Sequence, residues 1–124
     1  MLPKNAVVKV RKALEMGYDG LCTIVERQKY TRPNKSTGFR EVVVIENQPC
    51  RLSFKTAPST SDNGAVAETA QTVKLFLAPE LQVKEGSKIT VTQNGVTTDY
   101  KRSGAPAAYP THQEIQLELF KGWA

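Results

Sequence analysis

CRLSFKTAPSTSDNGAVAETAQTVKLFL, residues 50–77, is the stretch that decides the fold. It begins and ends with runs in which apolar and polar residues alternate, at 50–55 and 73–77, and such alternation is typical of β-strands with one buried face. Residues 56–72 between these runs are small and polar, so we predict a long loop inserted between two strands. Loops longer than about 12 to 15 residues are uncommon inside compact domains and are usually functional or disordered. This loop is therefore the first candidate for a functional element, with plain surface disorder as the alternative.

Length and composition indicate one globular domain. The chain has 124 residues, of which 40% are hydrophobic and 23% charged, enough for a core without disulfides or metals. No apolar run approaches the roughly 18 residues of a membrane span, and the first 16 residues lack the apolar core of a secretory signal. We expect a protein made in a cytoplasm, without a membrane partner. Its net charge of +5 is modest for a dedicated nucleic-acid binder.

Residues 1–17 predict an N-terminal arm with a short helix at 5–16. Apolar residues recur there at three- and four-residue spacing, Asn5 is placed to cap the helix and Gly17 to end it. The helix packs either on the rest of the chain or on a neighbouring subunit; a membrane-surface helix is a weaker interpretation because aromatic residues are absent. Its candidate contact residues for a neighbouring subunit are Val7, Val10, Arg11 and Leu14.

Residues 18–124 predict a single β domain. Alternating and β-branched runs at 21–30 and 39–46 flank a turn-rich segment and indicate a hairpin. Asn47-Gln48-Pro49 then predicts a bend, since proline has no amide donor for a strand ladder. The chain is expected to re-enter the sheet at Cys50.

The most specific local signal is Asn94-Gly95, which suits both positive-φ positions of a type I′ turn. A two-residue turn there pairs Val91 with Thr98 and Ile89 with Tyr100. A last strand is predicted at 115–119. Short antiparallel strands with almost no helix indicate an all-β fold, a small barrel or a sandwich.

The sequence contains no recognisable catalytic or metal-binding motif. Cys22 and Cys50 lie in apolar alternating runs, which favours buried, reduced thiols, and with a single His112 they do not form a convincing zinc shell. His112 follows a proline turn, where we expect a polar residue at a strand entrance without a partner acid. Nucleotide-binding glycine motifs and nucleophile elbows are absent. We therefore expect no enzyme activity and no cofactor.

A cluster of cations surrounds the first predicted hairpin. Tyr30 and Phe39 lie close to it, and cations interleaved with aromatic residues are what nucleic-acid-binding barrels use. The alternative is that charge simply keeps a hairpin tip soluble. The candidate DNA or partner contacts are Arg27, Lys29, Arg32, Lys35 and Arg40.

The C-terminal aromatic residues are a separate candidate interface. Phe120 and Trp123 close the chain, and aromatic residues are enriched where proteins contact one another. Trp123 could equally fold back and cover the core of its own chain.

Four segments taken together, ENQPCRLSFKT, TVKLFLAPE, GSKITVTQNGVTTDYK and YPTHQEIQLELFKGWA, resemble the small head-tail connector proteins of tailed bacteriophages. The resemblance is to the head-completion or stopper type, found in siphophages, myophages and defective Bacillus prophages. It covers about residues 18–124, and its specificity comes from the order of the segments.

The resemblance implies a small antiparallel β-barrel with a long inserted loop and a short N-terminal helix. It implies a homo-oligomeric ring, six-fold or twelve-fold, in the virion neck, assembled in the host cytoplasm. The adaptor or portal-side connector would lie above it and the tail terminator or tail completion protein below. The main alternatives are an OB-like nucleic-acid-binding module and another neck or tail-terminator ring protein.

In such connectors the loop at the position of residues 56–72 projects into the DNA channel and gates it. Residues 57–67 contain no lysine or arginine, so the loop would touch double-stranded DNA non-specifically, without fixed phosphate anchors. A glycine would give the loop flexibility. The channel-loop residues implied are Ala57, Pro58, Ser59, Thr60, Ser61, Asp62, Asn63, Gly64, Ala65, Val66 and Ala67.

Overall fold

A computed structural model describes residues 3–60 and 66–123 of the chain. Across these ranges no helix is long and apolar enough to cross a lipid bilayer. The elements, in chain order, are α1 Lys4–Met16, β1 Gly20–Thr31, β2 Thr37–Thr60, β3 Val66–Leu77, β4 Lys88–Gln93, β5 Val96–Arg102, β6 Ala107–Ala108 and β7 Gln113–Leu119.

The strands form one antiparallel sheet that closes on itself. Its order is β3-β2-β1-β4-β5-β7-β6, and β3 also pairs with β7. Closure removes most of the open edge that a flat sheet would expose. The two-residue β6 adds to β7. The predicted all-β fold, a small antiparallel barrel with a short N-terminal helix, is confirmed.

The inward-facing residues of the strands build one core. Cys22 and Cys50 are both fully buried free thiols, which confirms that prediction. The contact with Cys22, together with burial, raises the pKa of the Cys50 thiol, so it stays protonated. The core residues are Cys22, Ile24, Cys50, Leu52, Leu75, Leu77, Val83, Ile89, Val91, Tyr100, Ile115 and Leu117.

The β4–β5 hairpin has the turn that its sequence predicts. Asn94 and Gly95 have φ angles of 54° and 76°, as a type I′ turn requires. Ile89 pairs with Tyr100, and Val91 pairs with Thr98. The predicted register is therefore confirmed.

β2 does not bend out of the sheet at residues 47–49, so that prediction is wrong. The strand runs unbroken for 24 residues, with Asn47 at a φ of 49° and two irregularities in its pairing with β1. At each irregularity β2 has one residue more than β1, which is the pattern of a β-bulge. Pro49 is tolerated because β3 pairs with β2 only from Arg51 onward, which leaves one edge of β2 unpaired at the proline.

The helix begins one residue earlier than predicted. Pro3 takes the cap position, no side chain caps the helix, and the Val7 amide donates to the Pro3 carbonyl over 3.0 Å. Asn5 lies inside the first turn and is not the cap. Gly17 ends the helix as predicted, although its φ of −88° is not left-handed.

A buried glutamine holds the connection between β3 and β4 against the barrel. Gln113 is 4% exposed, and its Nε2 donates to the carbonyls of Ala78 and Leu81 over 2.8 and 2.6 Å. Replacing Gln113 by Ala leaves both carbonyls without this donor, so we expect the free energy of unfolding to fall by about 1–3 kcal/mol. Urea denaturation measures the change.

Gln116→Ala is the matched control, because Gln116 lies on the same strand with an exposed side chain. We expect this control to change the free energy of unfolding by less than about 0.5 kcal/mol. Equal effects of the two substitutions would show that the buried hydrogen bonds of Gln113 do not stabilise the fold.

Candidate functional site

The segment predicted as a loop at 56–72 is instead the outer part of a β-hairpin. β2 continues to Thr60 and β3 starts at Val66, with residues 55–58 paired to 69–72 in an unbroken ladder. Pairing satisfies backbone groups that an irregular loop would leave to water. Residues 61–65, the middle of the predicted channel loop, lie outside the described residues.

This β2–β3 hairpin extends beyond the closed sheet. β3 pairs with β7 only from Val73 to Leu77, so among the described residues the strand at 66–72 is paired with β2 alone. At its base Phe54 is 52% exposed, and the Thr72 hydroxyl donates to the Lys55 carbonyl over 3.2 Å. The hairpin is therefore a two-stranded ribbon that leaves the barrel, with no lysine or arginine from 56 to 72.

A second hairpin leaves the barrel at the other end of β2. β1 pairs with β4 only from Leu21 to Val25, whereas its pairing with β2 continues to Thr31 and Thr37. The distal part, residues 26–42, is named the basic hairpin here. It brings together all five predicted cations: Arg27, Lys29, Arg32, Lys35 and Arg40.

Guanidinium groups already lie over the aromatic rings of the basic hairpin. Arg27 lies 4.4 Å from the ring centre of Phe39, and Arg32 and Arg40 each lie 5.6 Å from that of Tyr30. Bases of single-stranded nucleic acid bind such proteins by stacking on open aromatic faces. Because arginines occupy these positions, the hairpin presents positive charge more readily than a stacking surface.

The helix is attached to the barrel mainly through charge. Arg11 of the helix lies 2.6 Å from Glu80, which follows β3, and 2.8 Å from Glu15 of the helix itself. The Arg11 hydrogen bond lowers the pKa of the Glu80 carboxyl. A cavity of about 320 Å³ lies beside this contact and is lined by residues of both the helix and the barrel. Val10 and Leu14 remain 42% and 37% exposed, and Val7 is half-buried. The predicted apolar side is thus largely uncovered.

The C-terminal aromatic pair folds back onto the outside of the barrel. Phe120 and Trp123 pack edge to face at 5.0 Å, and the Trp123 indole donates to Glu41 of β2 over 3.0 Å. Trp123 is half-buried and is not part of the core. It covers the outer surface beside the basic hairpin.

His112 has a partner acid, contrary to the prediction. Its Nε2 lies 2.9 Å from Glu114 Oε2, its Nδ1 lies 2.9 Å from Thr111 Oγ1, and its ring stacks on Tyr109. A hydroxyl, an imidazole and a carboxylate in sequence resemble a catalytic triad. However, Thr111 is only 8% exposed, which shields its hydroxyl from a substrate. The network joins β7 to β3 through the ion pair between Glu114 and Lys74, 3.4 Å long.

The network gives the fold an acid-sensitive contact. The hydrogen bond with His112, and secondarily Lys74, lower the pKa of Glu114. A carboxyl with a depressed folded pKa stabilises the protein above its unfolded pKa of about 4.3 and loses this effect as the pH falls through the folded value. We expect Glu114→Gln to be destabilising near neutral pH, with the difference from the natural protein shrinking below about pH 4.3 and disappearing only once the pH has fallen through the depressed folded pKa of Glu114. Urea denaturation of both proteins, from neutral pH into the acid range, measures the difference in their free energies of unfolding. A difference that does not change with pH would contradict the stabilising role given to Glu114.

Comparison with known proteins finds one informative likeness. No protein family matches the sequence, and no curated protein does. Among solved structures, the phage-like element PBSX protein xkdH from Bacillus subtilis matches with a TM-score of 0.50 and 10% identity, over 80% of this chain and 91% of that one. At this identity the likeness establishes a shared fold.

Proposed function

We propose that this chain is a noncatalytic connector of a phage or phage-like particle, a ring-forming protein of the head-completion or stopper type. Support comes from the fold shared with a phage-like element protein over most of both chains. The observation that carries the proposal is the β2–β3 hairpin, which leaves a closed sheet as a paired ribbon. A ring of such sheets with inward hairpins would narrow a central channel.

The hairpin is suited to blocking a channel without holding its contents. The five residues 56–60 extend about 17 Å at about 3.3 Å per residue, and their pairing makes the hairpin stiffer than an irregular loop. DNA-binding proteins anchor phosphates with lysine and arginine, and residues 56–72 contain neither. The proposed gate is therefore steric: the hairpins move as units and let DNA slide past when they open.

The geometry of β2 separates the two hairpins. One continuous strand carries the β2–β3 hairpin at its C-terminal end and the basic hairpin at its N-terminal end. The two hairpins leave the closed sheet at opposite ends of β2, and in the proposed ring the first is directed at the channel axis and the second away from it. We assign the cations of the basic hairpin to contacts with neighbouring proteins, and the exposed side of α1 to the adaptor side of the ring.

Loss of the protein tests the proposal. In the element that encodes this chain, deleting its gene should leave heads and tails that accumulate unjoined, because the ring between them is missing. Expression of the intact chain in trans should restore joined particles, as electron microscopy of purified material would show. Joined, DNA-filled particles in the absence of the protein would contradict the proposal.

An OB-like nucleic-acid-binding module remains a second candidate, favoured by the five clustered cations. It requires tight, strongly salt-dependent binding of single strands. Since arginines cover Tyr30 and Phe39, we expect only weak binding, with a dissociation constant of about 10 μM or higher near physiological salt. Fluorescence anisotropy with a labelled oligonucleotide distinguishes the two candidates.

A further inference from the structure

One edge of β1 loses its partner strand halfway along. β4 pairs with β1 at residues 21–25 and begins at Lys88, opposite Val25. β1 nevertheless continues to Thr31, paired with β2 on its other edge. Within the ranges 3–60 and 66–123, no strand pairs with the β4-side edge of residues 26–31. Such an edge presents backbone donors and acceptors to any chain that approaches it.

A groove of about 690 Å³ follows this edge. Four consecutive β1 residues, 26–29, line it together with Phe39, and its far wall is the turn at 84–87 that precedes β4. Successive residues of a strand point to opposite faces of the sheet. A groove that touches all four, with the turn at 84–87 as its far wall, therefore passes along the β4-side edge of β1, where the next strand of the sheet would lie. Phe39 of β2 lines the part of the groove that extends over the face of the sheet.

The charges along the groove select the kind of strand that fits. Glu26 already has partners within its own chain. Gln28 donates a hydrogen bond to it over 3.1 Å, and Lys84 lies 3.8 Å from it. The Glu26 side chain is only 13% exposed. Lys29 is exposed, and Lys84 is 64% exposed. Glu85 is the second carboxylate of the lining, 84% exposed and 3.9 Å from Arg102. Arg27, Lys29 and Lys84 are the three cations of the lining, so with the cations nearer the hairpin tip the positive charges exceed the negative ones.

We propose that this groove binds an extended acidic segment of a partner protein, which adds to β1 as a further antiparallel strand beside residues 26–31. Main-chain hydrogen bonds supply affinity in this mode of recognition, and side chains supply specificity. The incoming strand continues the line of β4, and its carboxylates face Lys29 and Lys84. The groove belongs to a single chain, so this inference goes beyond the proposed function and does not depend on ring formation.

The test uses the isolated full-length chain and a short peptide in which glutamate alternates with valine. We expect the peptide to slow the hydrogen exchange of amides in residues 26–31, observed by NMR, because they gain partners. Lys29→Glu combined with Lys84→Glu should weaken binding about tenfold. Lys35→Glu, a single charge reversal in the hairpin turn outside the groove, should change binding less than about twofold.

Two further probes separate strand addition from simple charge attraction. The same peptide with N-methylated backbone amides keeps its carboxylates but loses its donors, so it should not bind. A short DNA duplex should not displace the unmethylated peptide. The proposal is overturned if the unmethylated peptide leaves the amides of residues 26–31 unprotected, if the methylated peptide binds as tightly, or if the duplex displaces the peptide. Spectra away from the groove show that each variant is folded.

Discussion

Particles in which residues 57–70 of this chain are replaced by Asn-Gly are expected to lose packaged DNA. Under the connector proposal, heads and tails should still join, because the closed sheet is intact, but the channel would lack the steric barrier that the hairpins are proposed to form. We expect DNA-filled particles to fall by about tenfold or more. Counting filled and empty joined particles by electron microscopy, alongside nuclease-protected DNA, measures the loss.

The replacement is compatible with the fold. Thr56 pairs directly with Gln71, and in this same chain Asn94-Gly95 already joins another directly paired couple, Gln93 and Val96. A two-residue type I′ turn suits such a pair. We expect the free energy of unfolding of the isolated variant to stay within about 1 kcal/mol of the natural protein, since every core residue given above for the barrel is retained.

The matched control shortens the other hairpin in the same way. Thr31 pairs with Thr37, so Asn-Gly can replace residues 32–36. Because the basic hairpin is assigned away from the channel, these particles should retain their DNA. Retention by the 57–70 variant, or equal leakage from both variants, would contradict the gating role of the β2–β3 hairpin.

Leu75→Ala should have the largest effect on stability. Leu75 is fully buried and pairs with Leu52 on one side and Ile115 on the other, where β3 closes the sheet. We expect the free energy of unfolding to fall by about 3–5 kcal/mol, as the side chain leaves a cavity. The free energy of unfolding of an ordinary domain is only about 5–15 kcal/mol, so the variant should unfold at a much lower urea concentration than the natural protein.

Leu119→Ala provides the comparison, since Leu119 is 56% exposed on β7. Its effect should stay below about 0.5 kcal/mol. If Leu75→Ala lowered the free energy of unfolding by less than about 1 kcal/mol, the junction of β3 with β7 would not be well packed.

Local pattern was sufficient to predict most of the strands. Alternation identified the core faces of residues 50–55 and 73–77, and Asn94-Gly95 fixed a turn and its register. These signals succeed because burial on one face of a strand imposes a two-residue period, and because few residue pairs adopt two consecutive positive φ angles.

The β2–β3 hairpin escaped prediction because small residues carry little periodic signal. Alanine, serine and threonine at 56–72 are neither clearly apolar nor clearly excluded from strands. What makes them strands is the partner across the ladder, such as Thr56 with Gln71. Pairing is a property of two segments, and the composition of one segment does not reveal it.

Other features of the candidate surfaces depend on contacts distant in sequence. Arg11 and Glu80 lie 69 residues apart in the sequence, and Trp123 and Glu41 lie 82 residues apart, so the fold of the whole chain is needed to bring each pair together. The groove beside β1 depends on where β4 begins relative to β1, a register that neither strand's sequence specifies alone. The basic cluster was predictable because its members share one hairpin.

The most direct test of the connector proposal is a cryo-electron microscopy map of the neck of purified particles. The account predicts a ring of these closed sheets coaxial with the DNA channel, with every β2–β3 hairpin directed at the axis and every basic hairpin directed away from it. Outward β2–β3 hairpins would contradict the gating mechanism, and a neck without this protein would contradict the connector function.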